Sequence, residues 1–122
     1  MSELHILLID DDPIEHRIFR KLLESGQNSQ TKLSCCSDIN TATAFLKENS
    51  FDYIFLDDRL SPFTSLLETL PQIREYLQEA KTIAISSSLD SPHLTSAKEI
   101  GVDEIIDKND LKAFLTAPLP WT

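Results

Sequence analysis

Ile6-Leu7-Leu8-Ile9-Asp10-Asp11-Asp12-Pro13 is the stretch that decides the fold. Four consecutive apolar residues leave no polar face, which suits a strand covered on both sides, as in a parallel sheet flanked by helices. Asp12-Pro13 then reads as the N-cap and first residue of a helix. The Asp side chain accepts from an orphan N–H, and proline has no N–H to leave unpaired. Ile14, Ile18, Leu22 and Leu23 continue at helical spacing, and Gly26 is the stop. The same unit recurs along the chain. Lys32 to Cys36 fits a second strand, and Asp38 caps a helix whose inner face is Ala42, Phe45 and Leu46. Tyr53-Ile54-Phe55-Leu56 is a third apolar run, ending in Asp57-Asp58. Leu66, Leu70, Ile73 and Leu77 repeat as a helix in which Pro71 predicts a kink or restart. Ile83-Ala84-Ile85 is a fourth strand leading into Ser86, and Ser91-Pro92 opens a helix that Gly101 closes. Ile105-Ile106 is a short fifth strand; Asn109 caps a last helix with Leu111, Phe114 and Leu115, which Pro118 ends. This alternation predicts an α/β fold: a doubly wound, five-stranded parallel sheet with helices on both faces.

The 122 residues amount to one domain, 1–122, with 118–122 as a short C-terminal tail. Hydrophobic residues at 41% and charged residues at 25% fit a soluble globular chain rather than a disordered one. A net charge of −9 repels phosphate backbones and anionic lipid, so neither nucleic acid nor membrane is expected as a partner. Only Gly26 and Gly101 are glycines, so neither a G-x-G-x-x-G nor a P-loop can be written. Cys35 and Cys36 are adjacent and would point to opposite faces of a strand; they read as small hydrophobic residues, not a disulfide or zinc site. The N-terminus carries Glu3 where a signal peptide needs basic residues, and no apolar run approaches the roughly 18 residues of a membrane span. The expected location is the cytoplasm.

In doubly wound sheets, ligands bind beyond the carboxyl ends of the strands, where the strand order reverses. Those ends are chemically loaded here. Asp10, Asp11 and Asp12 follow the first strand, Asp57 and Asp58 the third, Ser86 the fourth, and Lys108 the fifth. Two carboxylates about 4 Å apart repel by roughly 4 kcal/mol at an effective dielectric near 20. If Asp10 or Asp11 and Asp57 converge at one edge, the fold tolerates them only where a cation or raised pKa values relieve the repulsion. One divalent ion plus Lys108 balances Asp10, Asp11 and Asp57, and hard oxygen ligands suit Mg²⁺. A carboxylate held beside that ion and a lysine can attack phosphorus and form an aspartyl phosphate. Asp12 is read as a helix cap, Asp58 as a solvated loop acid, and His16 as a solvent-facing residue on the first helix.

Taken together, residues Leu4 to Leu115 resemble the CheY-like receiver domains of bacterial two-component response regulators. Ile6 to Pro13 resembles the first strand with its acidic pair at Asp10 and Asp11. Tyr53 to Asp57 resembles the strand carrying the phosphorylated aspartate, and Ser86 falls on the Thr/Ser position. Gly101 to Lys108 resembles the segment leading to the invariant lysine. The resemblance implies a flavodoxin/CheY-like fold and a Mg²⁺ site at Asp10, Asp11, Asp57 and the main-chain carbonyl of Arg59. It implies that Asp57 accepts a phosphoryl group from a sensor histidine kinase or histidine phosphotransfer protein, with Lys108 and Ser86 bonding that group. It further implies a stand-alone phosphorelay protein that signals to a downstream protein target and is no enzyme beyond its own phosphorylation and dephosphorylation. Three positions depart from the family. Ser61 stands where proline is usual, with Pro62 one later; Asn109 follows Lys108 in place of proline; and Ile105 occupies the position of an aromatic switch. These departures support the alternative, a degenerate receiver acting as a phosphorylation-independent adaptor. A small phosphatase would want D-x-D after the first strand, and a flavin binder would want a phosphate loop there instead of acids. Arg59 is either a surface arginine or a residue leaning over the site. Trp121 is either a loose tail or a plug over apolar surface left by the short last helix.

Overall fold

The computed structural model describes residues 4–26, 31–58, 66–86 and 101–117. Strand β1 (His5–Ile9) leads into helix α1 (Pro13–Ser25), β2 (Lys32–Cys36) into α2 (Ile39–Glu48), and β3 (Tyr53–Asp57) precedes α3 (Leu66–Ile73). A 3₁₀ turn (Arg74–Tyr76) follows α3; then come β4 (Lys81–Ser86), β5 (Glu104–Asp107), a second 3₁₀ turn (Lys108–Asp110) and α4 (Leu111–Thr116). The strands form one sheet in the order β2-β1-β3-β4-β5, and every pairing is parallel. The expected doubly wound sheet is therefore present. Its order reverses between β1 and β3, so the ends of those two strands flank the switch point.

Alternation along the strands builds two cores. Leu7, Ile9, Ile54, Leu56 and Ala84 face Ala42, Leu46, Leu70 and Ile73 of α2 and α3. Ile6, Leu8, Phe55, Ile83 and Ile85 face Phe19 and Leu23 of α1 and Leu111 and Leu115 of α4. Phe55 meets Phe19 edge-on at 4.9 Å and Phe114 edge-on at 6.1 Å, geometries worth about 0.5–1.5 kcal/mol each beyond burial. Cys36 joins the first core and Cys35 packs on the second, the opposite-face placement expected of strand neighbours. Both thiols are free, and burial pushes Cys36 up to about 12, which makes it inert.

Asp12 caps α1 by accepting from Ile14 N at 2.9 Å, and Asp38 caps α2 by accepting from Thr41 N at 2.7 Å. Gly26 ends α1 where a Cβ would lie 2.7 Å from the Thr116 Cα, so only glycine lets α1 and α4 approach this closely. Gly101 has φ +123, a conformation that side-chain-bearing residues rarely adopt, just before the turn into β5.

Ile14 and Ile18 do not lie in the core; they are 63% and 43% exposed, because α1 turns Phe19 and Leu23 to the sheet. Two local expectations need correction, the restart at Pro71 and the cap at Asn109. No restart occurs at Pro71: α3 runs through it to Ile73 and only then tightens into the 3₁₀ turn. Asn109 is not the last helix's cap. It sits inside the second 3₁₀ turn, its N–H donating to Asp107 Oδ1 at 2.8 Å, and α4 starts after Asp110 without a side-chain cap. Ile105 is half-buried against the first core. The Ser91-Pro92 helix, Arg59, Ser61, Pro62, the Pro118 stop and the Trp121 tail lie outside the described residues.

Candidate functional site

Each strand end delivers its residue to one place. The Asp10 N–H donates to Cys36 O at 3.0 Å, extending the β1–β2 ladder by one bond and fixing the backbone where the carboxylate branches off. The Asp12 N–H donates to Asp10 Oδ1 at 3.0 Å, so the carboxylate is aimed by its own loop. Asp57 ends β3 in register with Ile85, and Ser86 ends β4 in register with Asp107. Lys108 opens the turn after β5 and reaches back, its Nζ 3.5 Å from Asp57 Oδ1. Asp10, Asp57 and Ser86 are buried, Asp11 is exposed, and Lys108 is half-buried. A cleft of about 190 Å³ is lined by Asp10, Asp11, Asp12, Asp57, Asp58, Ser86 and Lys108. A larger cleft of about 510 Å³ lies at the opposite ends of β4 and β5, where Arg74 and Lys81 balance Glu79 and Asp103.

Charge is unbalanced in the smaller cleft. Burial is the main cause that pushes the Asp10 carboxyl up to about 6; the Asp12 N–H pulls it back, and the Asp57 carboxylate pushes it further. Burial alone would lower Lys108, but Asp57 and Asp10 outweigh it and hold the ammonium above its ordinary value. One carboxylate oxygen each from Asp10, Asp11 and Asp57 lie within 4.8 Å of one another. Three hard oxygen donors from two strand ends, under mutual repulsion and with one ammonium beside them, fit a divalent cation such as Mg²⁺ or Ca²⁺.

Because Asp10 holds its proton more tightly folded than unfolded, that protonation stabilises the fold fully below 3.8, and the contribution is lost as pH rises through about 6. Asp10→Asn removes the ionisation. In chelator-treated buffer the variant should melt higher than wild type above about pH 7, by of order 1 kcal/mol after screening by cleft water, and lose that advantage near about pH 4. Thermal melts at the two pH values check this, and an advantage that persists in acid would contradict it.

Two residues take places the sequence did not reveal. His16 is not solvent-facing: its ring is half-buried, with Nε2 donating to the Asp10 carbonyl at 2.6 Å. Asp58 is not a solvated loop acid. It is 2% exposed, its N–H donates to Ile85 O at 2.8 Å, and its Oδ2 accepts from Ser86 Oγ at 3.4 Å. The contiguous acids of Asp57-Asp58 were the only available signal, and they do not say which partner lies across the sheet. Arg59, whose carbonyl the resemblance adds to the metal ligands, is outside the described residues.

A profile of the response regulator receiver domain matches residues 6–117. Among solved structures, the chemotaxis response regulator CheY4 of Vibrio cholerae is 16% identical with a TM-score of 0.78, covering 93% of each chain. The phosphorylated cyanobacterial phytochrome response regulator RcpA is 20% identical with a TM-score of 0.77, covering 94% of this chain and 90% of that one. A response regulator protein from Burkholderia pseudomallei, solved with a phosphorylated aspartic acid, a calcium ion and citrate, is 17% identical with a TM-score of 0.73. That alignment covers 87% of this chain, which spans 60% of the Burkholderia protein. A search of curated proteins found no match.

Proposed function

This chain belongs to the response regulator receiver domain family, and from that membership we propose that residues 1–122 form a phosphoacceptor domain whose acceptor is Asp57. The donor is a phosphohistidine on a sensor histidine kinase or histidine phosphotransfer protein. An Asp57 carboxylate oxygen attacks phosphorus, the P–N bond breaks, and its electron pair returns to the donor imidazole. Lys108, already 3.5 Å from Asp57, follows the charge as it spreads onto the transferring oxygens, and Ser86 donates its hydroxyl to one of them. Asp10, Asp11 and Asp57 would hold Mg²⁺, together with the Arg59 carbonyl that the family implies. The ion supplies neutralising charge for the phosphoryl oxygens. Output passes to a downstream protein target through protein contacts, in the cytoplasm where such donors work.

The observation that carries this reading is the meeting of Asp10, Asp11, Asp57, Ser86 and Lys108 from four separate strand ends in one cleft. It favours the phosphoacceptor over an adaptor indifferent to phosphorylation, which has no use for such a costly cluster of acids.

Mg²⁺ tests the site first. An ion that binds the folded cluster and not the unfolded chain stabilises by RT ln(1 + [L]/Kd), about 1.4 kcal/mol at tenfold saturation. Thermal melts should therefore rise with millimolar Mg²⁺ in wild type and barely move in Asp11→Asn. Intact-mass measurement after acetyl phosphate should then show one added phosphoryl group, with Mg²⁺ and not with chelator. A wild type that neither binds Mg²⁺ nor gains mass would overturn the reading.

A further inference from the structure

Asp58 is the buried acid lining the cleft that the proposed chemistry does not use. It is 2% exposed, and its backbone is tied to the end of β4 through Ile85 O at 2.8 Å. Across the sheet, the Ser86 hydroxyl donates to Asp58 Oδ2 at 3.4 Å. A serine hydroxyl carries one proton, so it serves one acceptor at a time. On the phosphoacceptor reading of Asp57, on which this inference rests, the incoming phosphoryl group needs that same proton.

We propose that Asp58 is a positioning residue that holds the Ser86 hydroxyl in the resting state and competes with the phosphoryl group for it. The carboxylate is a charged acceptor, stronger than a neutral one, and it is fixed by its own backbone. At 3.4 Å the bond is long, which is what a releasable hold requires. A phosphoryl group carries more negative charge and wins the proton, but against a standing competitor on the neighbouring residue. Asp58 thereby sets how completely Ser86 turns to the modified Asp57. Its charge also repels the phosphoryl group directly, and this second effect does not depend on Ser86.

A double-mutant cycle separates the two. Calorimetric titration of the full chain with beryllofluoride in saturating Mg²⁺ is measured for wild type, Asp58→Asn, Ser86→Ala and the double variant. With Ser86 present, Asp58→Asn is expected to tighten binding about tenfold; in the Ser86→Ala background the gain falls to about threefold, leaving charge repulsion alone. Asp58→Ala removes the acceptor altogether and should show at least as large a coupling, which also guards against a local effect of the amide. Equal tightening in both backgrounds would mean that Asp58 acts by charge only, and no tightening would mean that it does not act on the site; either result overturns the proposal. A wild type that binds Mg²⁺ but no beryllofluoride would instead strike down the phosphoacceptor reading, and this inference with it.

Discussion

Asp57→Asn is expected to abolish phosphoryl incorporation completely while leaving the fold intact. The amide has the shape of the carboxylate it replaces, so β3 keeps its register with β4 and the cleft keeps its walls. Its nitrogen is delocalised into the carbonyl and is no nucleophile toward phosphorus. Stability should stay level or rise slightly at neutral pH. The ion pair with Lys108 is lost, but so is the repulsion between Asp57 and the buried Asp10. Intact-mass measurement after acetyl phosphate and a thermal melt read the two halves of this expectation. Incorporation that survives Asp57→Asn but disappears in Asp58→Asn would move the acceptor by one residue.

Lys108→Ala should have opposite effects on chemistry and on metal. Lys108 Nζ is the cation beside Asp57, and no other Lys or Arg lines the cleft among the described residues. Without it, the negative charge spreading over the transferring oxygens loses a fixed counter-charge. Losing one such group costs about 10²–10³ in rate at comparable sites. Acceptance from acetyl phosphate should slow by about that factor. Mg²⁺ should bind at least as tightly as in wild type, because deleting an ammonium beside Asp10 and Asp57 leaves a more negative cluster for the ion. Rates by quenched mass measurement and affinity by thermal titration give the two numbers. Equal losses in both would mean that Lys108 only supports the local structure.

The sheet was readable because its central strands β1 and β3 are buried on both faces, and Ile6 to Ile9 and Tyr53 to Leu56 are apolar runs with no charged residue to obscure them. The alternation pointed to the strand ends as the place to look, while the strand order that brings Asp10, Asp57, Ser86 and Lys108 together is a property of the folded sheet. What stayed hidden depended on tertiary partners. On α1 two adjoining rows are apolar, Ile14-Ile18-Leu22 and Phe19-Leu23, and the pattern cannot say which row docks. Only contact with Phe55 and its neighbours selects Phe19 and leaves Ile14 and Ile18 in water. Asp58 looked wet because an acid in a loop normally is; the Ser86 hydroxyl that meets it comes from another strand. His16 likewise gains its place from the Asp10 carbonyl turning toward α1. The capping error at Asn109 is a matter of two residues: Asp107 accepts from the very N–H that was expected to belong to the cap.

The central claim is that one carboxylate, Asp57, becomes an acyl phosphate when Mg²⁺ is present. Borohydride reduces an aspartyl phosphate to homoserine, which marks the acceptor permanently in a peptide map. Wild-type protein treated with acetyl phosphate and Mg²⁺ and then reduced should carry homoserine at position 57, and the chelator-treated control should carry none. Homoserine at position 58 or 10 instead, or its absence from a protein that binds Mg²⁺, would contradict the account.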